Sequence, residues 1–414
     1  MNRTPFVLLL VALLGPASSA EAAWLAKLTP AEQTELRLST KFFLEQVNTG
    51  KDSPGYGMIR DRWPGNANLA STASVGFGLA ALVVAADAGW IDRKEAEVRV
   101  AGTFTTLEKM DRQFGFWYHF VDMRTSRPSP GSEVSSVDSM LLILGALAAG
   151  QYFSPALAAR AEALAEGMNW LRFTNKVSQQ VFMSWTDEPM FNGKWDFYAE
   201  GLGMYILGAG NTKTPLTGEE FYAFTRHRSS GGFINSWFGS LFTYQYSHAF
   251  IDFRGLKDKQ GVDWWQNSVD ASVSAQKFTG TDLWGYTASD SQHGYEGRYG
   301  SAPSGFNNDQ HFVDGTLAPA GPLGSAMFVP ELVARATDAL AAVPGLSGTY
   351  GFADAFNPKS SPVWINPDVI GIDKGITVLS LANLASGVVW KAVMKSPTIQ
   401  RGLKKVGLTA GGKK

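Results

Sequence analysis

Two acidic residues of this chain stand where a carboxyl group could transfer protons. Glu133 and Asp138 follow a turn region, residues 124–131, and lie at and just inside the start of an apolar helical segment. A structural interpretation is that Ser132 or Ser135 caps this helix while the two carboxylates complement its dipole. A catalytic interpretation requires a partner carboxyl group elsewhere in the chain, because acid and base catalysis by carboxyl groups uses them in pairs.

Glu200 is a candidate for that partner. It lies between aromatic residues and glycine in residues 195–201, in a segment predicted to be an apolar helix over residues 197–207. An ionised carboxyl group is costly to bury, so Glu200 must be paired, protonated or directed into a cavity. We expect it to face a cavity.

Aromatic and polar residues occur together in several glycine-rich segments: residues 115–122, 244–255, 284–296, 314–316 and 350–357. A sugar ring has an apolar C–H face that stacks on aromatic rings, and a rim of hydroxyl groups that needs amide, carboxylate or guanidinium partners. For any single Trp or Tyr a place in the core is the simpler interpretation. The repeated combination nevertheless favours a carbohydrate-binding surface.

Composition excludes several other classes of function. The 414 residues carry a net charge of -1, which does not favour a binder of nucleic acid or another polyanion. The high aromatic content excludes disorder, and the lack of cysteine excludes disulfides, thiol nucleophiles and Cys-type zinc or iron–sulfur sites. The sequence contains no H-E-x-x-H, G-x-S-x-G, Walker or dinucleotide motif, so we expect no metal and no cofactor. Carboxylate chemistry on a sugar remains, and it points to glycoside cleavage.

The N-terminal residues resemble an export signal. Residues 1–22 contain a basic start, a short apolar run and small residues before a cleavage site, so we expect a signal peptide and a periplasmic or secreted bacterial protein. We find no linker in the rest and expect residues 23–414 to form a single domain, as a monomer. The apolar stretch at residues 376–394 is interrupted by Asn383 and Lys391, which predicts a packed helix and no membrane anchor.

Helical signals dominate the chain. Capping patterns at Thr29, Asp92 and Thr217 predict three helix starts. Apolar segments with helical spacing cover residues 71–88, 135–151, 155–171, 197–207, 262–277, 330–342 and 375–386. Strand signals are short, at residues 115–121 and 181–185. Many helices are apolar around most of their circumference and so must pack on two sides, which favours an all-α fold, an α/α toroid, over a bundle.

The order of these motifs resembles the glucoamylase-like family, which includes bacterial endo-β-1,2-glucanases and the trimming or cyclising domain of cyclic β-1,2-glucan synthases. The similar segments, in the family's order, are residues 56–62, 115–122, 133–138, 195–200, 244–255, 284–290, 314–319, 350–356 and 371–375. The resemblance implies an (α/α)6 toroid with short β-hairpins in the active-site loops, and action on a neutral β-glucan, particularly β-1,2-glucan. The chain departs from the family pattern at Ala199 and Lys374.

The resemblance also implies roles for individual residues. The family's acidic positions match Glu133, Asp138 and Glu200. One of Glu133 and Glu200 would protonate the departing oxygen, while the other would activate water, with inversion, or attack the anomeric carbon, with retention. The implied substrate-binding residues are Asp61, Arg62, Trp117, His119, Asp122, Trp185, Trp195, Tyr198, Gln245, His248, Asp252, Arg254, Trp284, Asp290, Tyr295, Glu296, Asp314, Phe352 and Asp354.

Three functions stay open from the sequence: a β-glucan hydrolase, a transglycosylase on the same glucan, and a glucan-binding protein without catalysis. The three acidic positions argue against the last. Polysaccharide lyases share the α/α toroid but need cations to neutralise a uronate, and the sequence offers only the scattered Arg124, Arg254 and Arg298.

Overall fold

The computed structural model describes residues 24–188, 190–307 and 313–410, and the predicted signal peptide at residues 1–22 lies outside them. The described chain is rich in helices. These are α1 Pro30–Glu45, α2 Thr72–Asp87, α3 Arg93–Lys109, α4 Ser136–Phe153, α5 Pro155–Glu166, α6 Leu202–Gly210, α7 Tyr246–Phe250, α8 Trp264–Thr279, α9 Ala320–Leu323, α10 Pro330–Ala341, α11 Gly371–Ala385, α12 Val388–Val393 and α13 Pro397–Val406. Short 3-10 turns cover Glu219–Tyr222, Leu241–Tyr244 and Ala302–Ser304.

The strands are short and lie in the connections between helices. They are β1 Arg62–Trp63, β2 Leu69–Ser71, β3 Arg112–Gln113, β4 Phe116–Trp117, β5 Phe120–Asp122, β6 Val134–Ser135, β7 Phe182–Trp185, β8 Phe191–Lys194, β9 Leu256–Lys257, β10 Ser289–Ser291, β11 Gly294–Glu296, β12 Ser347–Gly348, β13 Gly351–Phe352, β14 Phe356–Asn357, β15 Trp364–Ile365, β16 Val369–Ile370 and β17 Thr409–Ala410. The pairs β2–β5, β10–β11 and β1–β16 are antiparallel, as is the ladder β6–β7–β8. These ladders tie together loops that precede helices.

Helices α2, α4 and α11 form the centre of the protein, with α2 packed against both others. Nearly every residue of α2 and α4 is buried, as their apolar circumference predicts. A Cβ atom added to Gly145 in α4 would lie 1.9 Å from the carbonyl oxygen of Gly76 in α2, so only glycine permits this close approach. Although α4 is long and apolar enough to cross a membrane, 83% of it is buried inside the protein.

The predicted helix starts are partly confirmed. Thr29 forms a capping box with Glu32 at α1, and Asp92 caps α3. The helix predicted after Thr217 is wrong, because Glu220 folds back onto Thr217 and Gly218 and only a 3-10 turn follows. The apolar stretch near the C-terminus forms the two packed helices α11 and α12.

Candidate active site

The starts of five helices meet at one cavity of about 400 Å³. Residues at or next to the N-termini of α2, α4, α6, α7 and α11 contribute to its wall. Because helix N-termini carry partial positive charge, this end of the protein favours carboxylates. The lining residues are Asp61, Arg62, Ser71, Ala73, His119, Phe120, Val137, Asp138, Leu141, Glu200, Phe242, Tyr246, Ala288, Tyr295, Ile370 and Ile372.

Asp138 is held in the first turn of α4. Ser135 is the N-cap residue, its hydroxyl accepting a hydrogen bond from the Asp138 backbone N–H at 3.3 Å. The same hydroxyl donates a short hydrogen bond to the Asp138 carboxylate. The capping interpretation is therefore confirmed for Ser135. Asp138 also lines the cavity, so helix capping and exposure to a ligand coexist at this position.

His119 connects Asp138 to Glu133. Its Nδ1 lies 2.8 Å from Glu133 Oε1 and its Nε2 lies 3.6 Å from Asp138 Oδ1. Burial opposes the imidazolium charge, but the charge of Asp138 and the hydrogen bond to Glu133 prevail and raise the pKa of His119 to about 9. His119 is therefore a cation at neutral pH, held between two carboxylates.

The hydrogen bond with His119 also shifts the pKa of Glu133. Burial alone would raise the pKa of Glu133, but the hydrogen bond from His119, a backbone hydrogen bond and the His119 charge lower it below its usual value. The Glu133 side chain is one-third exposed, and among the described residues it does not belong to the cavity wall. Glu133 is thus linked to the cavity wall by its hydrogen bond with His119.

Glu200 faces the cavity, as the sequence predicts, but from a different local structure. It precedes α6, whose N-cap residue is Gly201, so the predicted helix start at residue 197 is wrong. The Ser247 hydroxyl donates a short hydrogen bond to the Glu200 carbonyl oxygen and accepts one from the Gly203 N–H, which anchors this turn. Burial, and secondarily the charge of Asp138, raise the pKa of Glu200 to about 7. This carboxyl group therefore holds its proton near neutral pH.

A second charged group borders the cavity around Arg62. The Arg62 Nη1 atom lies 2.7 Å from Asp290 Oδ2 and 3.2 Å from Asp368 Oδ2, and Arg62 Nε lies 3.8 Å from Asp61 Oδ2. Asn366 Nδ2 donates to the same Asp290 oxygen at 2.6 Å. Burial, more than any neighbouring charge, raises the pKa of Asp61. The predicted residues Asp61, Arg62 and Asp290 therefore do come together.

Two further carboxyl groups, those of Asp354 and Asp373, lie behind Asp290. Asp354 Oδ2 accepts the Asp290 backbone N–H at 2.8 Å. Burial raises the pKa of both Asp354 and Asp373, and their mutual contact adds to the effect on Asp373. Within the ranges that the structure describes, no three His, Asp or Glu side chains are grouped so as to hold a metal ion.

Several predicted stacking residues lie in the core instead. Trp117, Tyr198 and Trp284 are fully buried, and Trp185 and Phe352 nearly so. Trp117 Nε1 donates to the Leu107 carbonyl oxygen at 3.3 Å, and the Tyr198 ring stacks on Trp264 at 5.1 Å. Such rings have no free face for a sugar, so the structure corrects their predicted binding role.

Trp195 is neither fully buried in the core nor part of the cavity wall. Its ring is half-buried, and its Nε1 donates to the Ser136 hydroxyl at 3.0 Å, next to the start of α4. Tyr295 on β11 is the predicted aromatic residue that lines the cavity. Sequence reasoning missed Phe120, Phe242 and Tyr246 in the wall, although Tyr246 belongs to the polar and aromatic segment at residues 244–255.

Two predicted polar residues of that segment also serve the core. Gln245 Nε2 donates to the Gly321 carbonyl oxygen at 2.7 Å and to the Ser325 hydroxyl at 2.8 Å. Burial lowers the pKa of His248 to about 3, so it is a neutral core histidine beside the Ser268 hydroxyl. The structure therefore corrects both predictions.

The remaining polar candidates make local contacts outside the cavity wall. Asp252 pairs with Arg254, whose guanidinium lies 4.2 Å from the centre of the Trp390 ring. Glu296 pairs with its neighbour Arg298 at 2.6 Å. These ion pairs lie within their own turns and contribute little to stability, and a substrate contact by these residues stays a prediction.

Two further acidic candidates also organise loops. Asp122 accepts the backbone N–H groups of Arg124 and Thr125 and so holds the turn that follows β5. Asp314 accepts the Tyr299 hydroxyl at 2.9 Å and the Thr316 N–H at 2.7 Å. Both side chains therefore hold local turns, and neither belongs to the cavity wall among the described residues.

The chain is similar to known proteins over most of its length. Residues 192–397 match the family model described as "Putative glucoamylase". A curated relative from Parabacteroides distasonis, an exo-β-1,2-glucooligosaccharide sophorohydrolase, is 24% identical over 409 residues. The match covers 85% of this chain but only 55% of the relative, so the chain spans about half the length of that protein.

Solved structures show the same fold over most of the chain. The endo-β-1,2-glucanase from Chitinophaga pinensis, solved with sophorotriose and glucose, has a TM-score of 0.81 and 26% identity, with 96% of this chain and 100% of the other covered. A β-1,2-glucanase from Parabacteroides distasonis has a TM-score of 0.80 and 23% identity, with 91% of this chain and 60% of the other covered. The match to the family model over residues 192–397 and the shared fold together show that the chain belongs to the glucoamylase-like family.

Proposed function

We propose that this protein is a glycoside hydrolase that cleaves β-1,2-glucan by carboxylate acid and base catalysis. The proposal for the linkage is supported by the activities in the names of two relatives, a sophorohydrolase and an endo-β-1,2-glucanase. The neutral substrate agrees with a chain whose net charge is -1. Stacking and hydrogen bonds would then take the place of long-range attraction.

The observation that carries the proposal is the pair formed by Asp138 and Glu200 in one cavity. Burial keeps a proton on Glu200 up to about pH 7, which suits a general acid. Asp138 instead faces the protonated His119. Two carboxyl groups whose surroundings differ in this way are the requirement for glycoside cleavage.

In the proposed reaction, Glu200 donates its proton to the glycosidic oxygen as the bond from that oxygen to the anomeric carbon breaks. Asp138 acts at the anomeric carbon, either by accepting a proton from the attacking water or by direct attack. His119, held by Glu133, orients Asp138 and compensates its charge. Arg62, fixed by Asp290, offers hydrogen bonds to sugar hydroxyl groups.

We also propose that residues 23–414 form one catalytic domain with the helices arranged as an (α/α)6 toroid. Two observations support this arrangement. The N-termini of α2, α4, α6, α7 and α11 meet at one cavity, and α11 packs against α2. This order of contacts is expected when an inner ring of helices closes on itself.

Cleavage of linear β-1,2-glucan tests the proposal. We expect the wild type to generate new reducing ends, and Glu200→Gln and Asp138→Asn to lose this activity while remaining folded. NMR of the first product distinguishes a retained from an inverted anomeric configuration and so shows whether Asp138 acts directly or through water. Sugar release by both variants at the wild-type rate would refute the assignment of the two carboxyl groups.

A further inference from the structure

Three aromatic rings and a histidine form an exposed cluster outside the cavity wall, which we call the aromatic platform: Phe197, His227, Trp237 and Phe306. Trp237 is 39% exposed and Phe306 is 43% exposed. The ring centres of Phe197 lie 5.3 Å from Trp237 and 5.1 Å from Phe306, and Trp237 and Phe306 are 5.5 Å apart. Large apolar rings grouped in this way at a surface indicate a binding site.

The backbone holds the platform in place. The Phe306 N–H donates to the Ser236 carbonyl oxygen at 2.8 Å, and the Asn307 N–H donates to the Trp237 carbonyl oxygen at 2.9 Å. Phe197 lies in a β-bridge with Thr225. Three separate loop segments are thus joined before any ligand binds, which reduces the entropy lost on binding.

The platform is connected to the cavity at two points. Phe197 precedes Glu200 by three residues, so at most about 11 Å of chain separates them. Trp237 lies five residues before Phe242, another residue of the cavity wall. Both segments lead into helix N-termini, and helix N-termini form that wall. The chain therefore runs directly from the platform into the cavity wall at both points.

A glucan chain fits the chemistry of this surface. The C–H face of a glucosyl unit stacks on an indole or phenyl ring, while its hydroxyl groups need polar neighbours. His227, whose ring lies 4.6 Å from Phe306, supplies a polar edge and is itself held at 3.0 Å by the Asn235 side chain. We propose that the aromatic platform binds glucosyl units of a chain whose scissile bond lies in the cavity. This inference rests on the proposed function.

The test compares long and short β-1,2-linked substrates. We expect Trp237→Ala and Phe306→Ala each to lower kcat/KM for long β-1,2-glucan by roughly fivefold to tenfold, the value of one ring stack. The rate on a trisaccharide, which has fewer glucosyl units to place on the platform once its scissile bond lies in the cavity, should fall less than the rate on long chains. Trp237→Phe keeps a ring and should restore most of the rate on long chains.

Phe278→Ala is the matched control, since Phe278 is 40% exposed near the end of α8 and lies outside the cavity wall. It should leave both rates unchanged. Binding of long glucan to Glu200→Gln, with and without Trp237→Ala, gives a second readout that needs no turnover. Circular dichroism confirms that each variant is folded.

The outcomes separate the two proposals. If the wild type cleaves both substrates while Trp237→Ala keeps the wild-type ratio of long to short rates, the platform is refuted and the proposed function stands. If the platform variants instead abolish self-association of the protein in sedimentation and leave the glucan rates unchanged, the surface binds a second copy and the inference is wrong. A wild type that neither binds nor cleaves glucan refutes both proposals.

Discussion

Replacement of Glu200 by glutamine removes an acidic proton from the cavity and keeps the size of the side chain. In the wild type, burial and the nearby Asp138 raise the pKa of Glu200 from 4.5 to about 7. At about 1.36 kcal/mol for each pKa unit, ionised Glu200 destabilises the folded state by about 3 kcal/mol. Glutamine is neutral at every pH and carries no such penalty.

The direction of the stability change depends on whether the folded or the unfolded protein loses the Glu200 proton at the lower pH. Below about pH 4.5 the carboxyl group is neutral in both the folded and unfolded protein. As pH rises from there to about 7, the unfolded chain releases its proton while the folded protein keeps it, so the wild type loses stability. Above about pH 7 the loss is complete. The difference in the free energy of unfolding between Glu200→Gln and wild type should therefore change by about 3 kcal/mol, in favour of the variant, from about pH 4 to about pH 8.

Activity should change in the opposite direction. The variant lacks the proton donor, and we expect a loss of roughly 10²–10⁴-fold in kcat. The wild-type rate should itself fall above about pH 7, as Glu200 loses its proton. A variant that is more stable at high pH and yet inactive is expected of a buried catalytic acid and not of a structural carboxylate.

Urea unfolding at about pH 4, 6 and 8, combined with reducing-end assays, measures both effects. Glu219→Gln is the control, since Glu219 is an exposed glutamate whose carboxylate pairs with Lys259 at 2.9 Å. It should leave activity and the pH dependence of stability close to wild type. A constant stability difference between Glu200→Gln and wild type across this pH range would refute the burial of a protonated Glu200.

Three further substitutions test other parts of the structure. His119→Gln removes the cation between two carboxylates, so the pKa of Glu133, which His119 lowers in the wild type, should rise when it is followed by NMR titration; an unmoved pKa would contradict this. Lys374→Met leaves Glu35, its buried partner at 3.0 Å, without a counter-charge, and urea unfolding should show a loss of about 3–5 kcal/mol; a loss below about 1 kcal/mol would show that the pair is dispensable. Trp117→Ala should destabilise the fold by about 3–5 kcal/mol with an unchanged KM, whereas a raised KM in a stable protein would restore its predicted sugar contact.

The acidic residues of the site were predictable from local rules. Ser135 and Asp138 form a recognisable helix start, and the site of Glu200 among apolar residues required a cavity, a partner or a proton because of the penalty for burying charge. The structure confirms the cap and the cavity. The cap is local, whereas the cavity itself is formed by helix starts that are far apart in the chain.

The stacking residues could not be assigned in the same way. Trp117 and Tyr295 both occur in glycine-rich aromatic segments, yet one is fully buried and the other lines the cavity. The difference depends on which helix packs over each ring, and that information is distributed over residues far apart in the chain. Trp237 and Phe306, two residues of the aromatic platform, lie outside the glycine-rich segments that the sequence singled out and were therefore missed.

Incubation of the purified protein with linear β-glucans of different linkage, read by reducing ends and product length, tests the central claim most directly. We predict release of oligosaccharides from β-1,2-glucan, little or none from other linkages, and none from the Glu200→Gln protein. Failure to release sugar from any of these glucans would contradict the assignment of this protein as a glycoside hydrolase.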